Sequence, residues 1–148
     1  MDADKTVQLL RKMRHEFGNH LQVLSGYLEL QQPEKVKEYV NKLILAMRAE
    51  RKIFEATEGE VTVYLYEQLL SARDAGLTME YKDIRISNIK PLEQASEPLK
   101  SLRRITQNVN ADHFTFEVVI HTTLEQDIVI DYFSEAFAVN PQRVIIKE

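Results

Sequence analysis

The chain contains no cysteine, which excludes a disulfide framework, thiolate chemistry and cysteine-type zinc sites. Glycine is scarce: the chain has 4, at Gly18, Gly26, Gly59 and Gly76, so its second half has none. Loops that cradle nucleotide phosphates need glycine, because only a residue without Cβ lets backbone N–H groups crowd an anion. Neither a P-loop, nor a GxGxxG turn, nor a glycine-rich lid can be drawn here. No apolar run approaches the roughly 20 residues that span a bilayer, and the start, Met1-Asp2-Ala3-Asp4-Lys5, lacks the pattern of a signal peptide. An excess of positive charge is missing too. The formal net charge of -4 argues against a generic nucleic-acid binder. These absences leave a soluble, cytoplasmic chain whose 148 residues suit one domain or a small domain with an appendage.

What is present begins with helical periodicity. Val7, Leu10, Phe17, Leu21, Leu24 and Leu28 recur at helical spacings and predict a helix over residues 4–31. Pro33 suits the first turn of a second helix reaching about Glu55, with Val36, Val40, Leu43, Met47 and Phe54 on one face. So short a connection makes an antiparallel hairpin. A lone hairpin has a bare apolar stripe, and pairing into a dimeric four-helix bundle is the simplest way to cover it. The small polar segment Ala56–Glu60 divides residues 1–57 from residues 58–148. Beyond it the pattern predicts a helix over 63–75 stopped by Gly76, a strand over 77–81, and helix over 92–110 with Pro98 as a break or fresh start. Strands at 114–120 and 127–133 then form a hairpin, with a last strand at 143–147. The class is α+β. Charge is uneven: residues 1–57 hold 10 Lys and Arg against 8 Asp and Glu, and residues 58–148 hold 9 against 15.

The stretch Arg14-His15-Glu16-Phe17-Gly18-Asn19-His20-Leu21-Gln22 carries the chemistry. At about 100° per residue, Phe17, Leu21, Leu24 and Leu28 fall within about 40° of Leu10, predicting a buried seam. His15 lies about 140° away, on a polar stripe with Gln8, Lys12, Asn19, Gln22 and Gly26; Gly18 borders it. Arg14 lies partly on the seam, and His20 borders it on the other side, which suits a structural role. Glycine inside a helix costs roughly 1 kcal/mol against alanine, so Gly18 and Gly26 beside an exposed histidine suit a partner that comes close. Three readings compete for His15: an ordinary surface histidine, a zinc ligand, or a nucleophile. The metalloprotease helix needs a second histidine four residues on, where Asn19 stands, so zinc does not fit. Lys12 and Arg14 suit an anionic partner or a phosphoryl group in transfer. His113 and His121 have no such surroundings.

Residues 9–40 resemble the phosphoacceptor helix of the sporulation initiation phosphotransferase B family and of the related citrate- and fumarate-type sensor histidine kinases. The shared skeleton is Arg14-His15, Glu16, Asn19, Leu21-Gln22, Gly26, Leu28, Leu30-Gln31 and Val36. The order of later elements, through Asp131-Tyr132-Phe133-Ser134-Glu135-Ala136-Phe137, is similar to that family's second domain, a degenerate kinase ATP-binding domain. That domain extends further than Glu148, so its last sheet elements are expected to be shortened or missing. The resemblance implies a phosphorelay phosphotransferase. His15 would take a phosphoryl group from an aspartate of one response-regulator receiver and pass it to another. Glu16 would orient or tune the imidazole and Asn19 would hydrogen-bond at the transfer site. Lys12, Arg14, Gly18, Gln22 and Gly26 would meet the receiver. Mg²⁺ would come from the receiver, with no cofactor and no metal of the chain's own.

A kinase of this superfamily needs an asparagine-bearing helix, an Asp-x-Gly-x-Gly stretch and a glycine-rich lid. Asn108 or Asn110 suits the first, and nothing supplies the others, so ATP binding and self-phosphorylation are not expected. Two other readings remain: a fragment-like sensor-kinase homologue that competes for receivers, and a non-enzymatic helical adaptor in which His15 is incidental.

Overall fold

The computed structural model describes residues 2–147. The chain divides into two compact units, Met1–Arg48 and Ala49–Glu148. Helices α1 (Ala3–Glu29) and α2 (Pro33–Ala56) open it, and the last two turns of α2 belong to the second unit.

Both helices begin and end as their sequences dictate. Asp2 is the N-cap of α1, its carboxylate accepting from the Asp4 N–H at 2.9 Å. The C-terminus closes with Gln32 N–H donating to the Tyr27 carbonyl and Gln31 N–H to Leu28, while Gln31 takes a left-handed φ of 55°. Pro33 then starts α2, its missing N–H costing nothing at a first turn. Within the first unit Met13, Glu16, His20, Leu24 and Tyr27 of α1 form a half-buried row, as do Val36, Tyr39, Leu43 and Ala46 of α2.

In the single chain the apolar seam of α1 is bare, as a lone hairpin is expected to leave it. Leu10, Phe17, Leu21 and Leu28 are 56%, 64%, 51% and 63% exposed, and only Leu24 is half-buried. On α2, Val36 and Leu43 are half-buried while Val40, Met47 and Phe54 are exposed. A helical wheel finds the most apolar direction of a helix. The neighbouring helix of a hairpin occupies a different direction, so two apolar rows lie side by side and one remains bare.

In the second unit α3 (Gly59–Asp74) follows the end of α2, where Ile53 is fully buried and Glu50 accepts from Arg73 at 2.7 Å. Helix α3 starts four residues before the expected Val63. It ends in a double hydrogen bond, Leu77 N–H to Ala72 and Gly76 N–H to Arg73, with Gly76 at φ 79°. Four strands follow: β1 (Thr78–Arg85), β2 (Thr115–Thr122), β3 (Ile128–Phe133) and β4 (Gln142–Ile146), in spatial order β1-β2-β3-β4. Strand β1 runs parallel to β2, and the other pairs are antiparallel. Strand β1 extends to Arg85 rather than stopping at Tyr81. Its charged second half reads as a loop but is held by the ladder to β2, with a register shift between Tyr81 and Asp83.

The expected helix over 92–110 is two short ones, α4 (Lys90–Ala95) and α5 (Leu99–Ile105). Ser96 at φ 56° and Pro98 separate them. Helix α5 stops where the Thr106 hydroxyl donates to the Leu102 carbonyl at 2.7 Å, competing with the backbone ladder. Asn108 and Asn110 therefore lie beyond α5, not on an asparagine-bearing helix.

Alternation divides the sheet. Met79, Tyr81, Phe116, Val118, Ile120, Ile130 and Tyr132 are almost fully buried, with Leu65, Leu69 and Leu70 of α3 and Leu102 of α5. Three phenols tie the layers: Tyr81 donates to the Leu65 carbonyl at 3.0 Å, Tyr132 to Pro98 at 2.6 Å, and Tyr64 to Glu97 at 2.7 Å. Burial pushes all three phenols above the usual tyrosine range, with neighbouring Glu93 and Glu97 adding at Tyr64 and Glu97 at Tyr132. On the other face Arg143 of β4 clasps Asp131 of β3 with two bonds, 2.7 and 2.9 Å.

Candidate functional site

Helix α1 positions the site through its uninterrupted register. His15 and Asn19, one turn apart, are both exposed, and Asn19 Nδ2 lies 3.5 Å from His15 Nδ1. That is the long limit of a hydrogen bond. The second ring nitrogen, Nε2, has no partner among the described residues. Arg14 and Gln22 are exposed on the same helix, while Lys12 and Glu16 are half-buried. Glu16 thus belongs to the row that includes His20, not to the open face with His15 and Asn19.

The two helical glycines are half-buried, yet a Cβ built at Gly18 or Gly26 meets nothing within 4 Å. Nothing inside the chain requires glycine there. The cost of about 1 kcal/mol for each therefore has no return in the packing of this chain, and the open space lies on the helix that carries His15.

His20 is placed differently. Its Nδ1 is 2.6 Å from the Tyr39 hydroxyl, and the two rings pack with centroids 5.7 Å apart. The His20 ring is half-buried between the helices and less open to a partner than the exposed ring of His15. Tyr39 was not legible as its partner. The apolar face that the spacing predicts for α2 runs through Val36, Val40, Leu43, Met47 and Phe54, whereas the half-buried row runs through Val36, Tyr39 and Leu43. Tyrosine at that offset was the available signal.

His15 stands on the convex surface of a helix, with Arg11, Lys12 and Arg14 in the preceding turn and Glu16 the one acid among residues 11–20. Small-molecule sites are concave and bury most of their ligand; a convex helix with an open imidazole suits a partner protein. Beside α1 and α2 a cavity of about 480 Å³ is lined by Tyr27, Lys35, Tyr39 and Lys42 among others, and cavities of similar size occur in the second unit. One of about 500 Å³ is lined by His113, Phe114, Glu117, Phe133, Ser134 and Glu135 among others. Among the described residues no group of three or more His, Asp or Glu is placed to hold a metal ion, and no helix is long and apolar enough to cross a membrane.

Residues 1–56 match the family model described as "Sensor_kinase_SpoOB-type, alpha-helical domain". The match spans α1 and α2 and stops before α3. This part of the chain is therefore similar to the helical domain of SpoOB-type sensor kinases, which connects it with two-component signalling. No curated protein matches the chain.

Proposed function

We propose that the chain is a phosphorelay phosphotransferase, with His15 as phosphoacceptor and response-regulator receiver domains as donor and acceptor. The observation that carries this reading is the open Nε2 of His15, on a convex basic turn of the SpoOB-type segment, with the other ring nitrogen beside Asn19.

The chemistry follows from the ring. Nε2 needs its lone pair to attack, so Nδ1 must carry the proton. An asparagine amide turned over exchanges its oxygen and nitrogen with little change in shape. In that orientation Asn19 Oδ1 accepts from Nδ1–H and holds the nucleophilic tautomer. Nε2 then attacks phosphorus in line as the bond to the receiver's carboxylate oxygen breaks. The carboxylate leaves with the bonding pair, and the imidazolium retains its proton at Nδ1. Transfer to the second receiver is the same step reversed. The catalysis is mostly positioning and charge neutralisation, with Arg14 near the anionic group and Mg²⁺ supplied by the receiver. Gly18 and Gly26 leave room for the receiver's backbone, while Lys12 and Gln22 flank it.

The bare stripe through Leu10, Phe17, Leu21 and Leu28 supports a homodimer in which a second copy completes a four-helix bundle. Three features support relay over ATP-dependent kinase activity. The segment 134–140 after β3 has no glycine, Asp131 is taken up by Arg143, and Asn108 and Asn110 lie beyond α5. The test is to mix the chain with a receiver carrying a labelled acyl phosphate. The proposal requires acid-labile label on the chain and onward transfer to a second receiver. Binding without label would make the chain an adaptor.

A further inference from the structure

Apolar side chains between two helices are attracted without direction, so a seam of leucine and methionine permits sliding and rotation. A short hydrogen bond does not. In the first unit Tyr39 of α2 meets Nδ1 of His20 at 2.6 Å, and Tyr27 braces the Tyr39 ring edge-on with centroids 6.5 Å apart. His20 follows Asn19 directly and lies within two turns of His15. We propose that the His20–Tyr39 pair locks the rotation and register of α1 against α2, making Tyr39 a positioning residue for His15. This rests on the reading of His15 as phosphoacceptor.

The argument is geometric. A slip of one turn moves α1 by about 5.4 Å, and a slip of one residue turns it by about 100°. Either breaks the His20–Tyr39 bond, and either carries the face bearing His15 and Asn19 away from a docked receiver. Displacements of about 1 Å already cost group transfer heavily. A hydrogen-bonded polar pair between two helices is an established way to specify register. Neighbouring Met13, Leu24 and Leu43 fill space in that seam but carry no directional contact.

Tyr39→Phe keeps the ring packing and removes the hydroxyl; His20→Phe removes the other half. Initial rates of label uptake are measured against the concentration of acyl-phosphorylated receiver, with amide hydrogen exchange across α1 followed in parallel. The expected result is a maximal rate lowered about five- to tenfold in Tyr39→Phe, the scale of one lost hydrogen bond. The half-saturating receiver concentration should stay unchanged and exchange around residues 13–22 should quicken. The double variant should lose no more than either single one, because both remove the same bond. A Tyr39→Phe chain with wild-type maximal rate, even one that melts earlier, overturns the positioning role. Wild-type exchange in Tyr39→Phe overturns the lock. If the wild-type chain takes no label, the phosphoacceptor reading fails, and exchange alone then decides the lock.

Discussion

Phe17→Ala separates an apolar stripe that awaits a second copy from one that is merely exposed. Phe17 is 64% exposed in the single chain. Burying a phenylalanine fully is worth about 1.5–3 kcal/mol, so covering the exposed part gains roughly 1–2 kcal/mol per chain. A two-fold interface loses this twice, about 2–4 kcal/mol, which raises the dimer dissociation constant roughly 30- to 1,000-fold. The single chain should scarcely notice, because an exposed ring contributes within about 0.5 kcal/mol. Sedimentation equilibrium over a concentration series measures the dissociation constant, and far-ultraviolet circular dichroism reports whether the helices persist. Leu124→Ala is the control, since Leu124 is 103% exposed on the loop between β2 and β3 and lies outside the stripe. A dissociation constant unmoved by Phe17→Ala, or a wild-type chain that sediments as a monomer, would refute the reasoning.

Asn19→Ala should slow phosphoryl uptake about tenfold without abolishing it, because the imidazole loses the group that holds its tautomer while its nucleophile stays; uptake at the wild-type rate would remove Asn19 from the site. Tyr132→Phe should lower stability by about 1 kcal/mol in urea unfolding, since it removes the buried hydroxyl's 2.6 Å bond and leaves the Pro98 carbonyl only the 3.3 Å bond from the Leu102 N–H. A midpoint within error of wild type would contradict that. Glu97 is 3% exposed, and its Oε1 accepts from the Ser101 N–H while Oε2 has no partner. Glu97→Gln keeps the acceptor and removes a buried charge, so stability should rise by about 1 kcal/mol; a lowered midpoint would show that the carboxylate is needed there.

The order of elements was legible because each leaves a local trace. Pro33 opens α2, Gly76 ends α3, and β-branched runs write β2 and β3. What failed was what depends on neighbours. The second half of β1 is Lys82-Asp83-Ile84-Arg85, and no propensity reads it as a strand; its pairing with β2 makes it one. The wheel found the apolar stripe of α1 and the polar face with His15 opposite, but not the direction in which α2 lies. Glu16, next to His15 in sequence, lies in the half-buried row with His20. The exposure of His15 and its proximity to Asn19 follow from helix geometry alone, whereas the Tyr39 contact with His20 required the second helix.

The central claim concerns one nitrogen-bearing side chain. After exposure to an acyl-phosphorylated receiver, the chain is digested at neutral to alkaline pH and the phosphorylated peptide is mapped by mass spectrometry, with His15→Ala alongside. Because His15 is exposed, truncating it should leave stability within about 0.5 kcal/mol, so the variant reports chemistry and not folding. The phosphoryl group is predicted on His15, with none on a folded His15→Ala chain. Phosphate on His20, or a His15→Ala chain that is still labelled, would contradict the account.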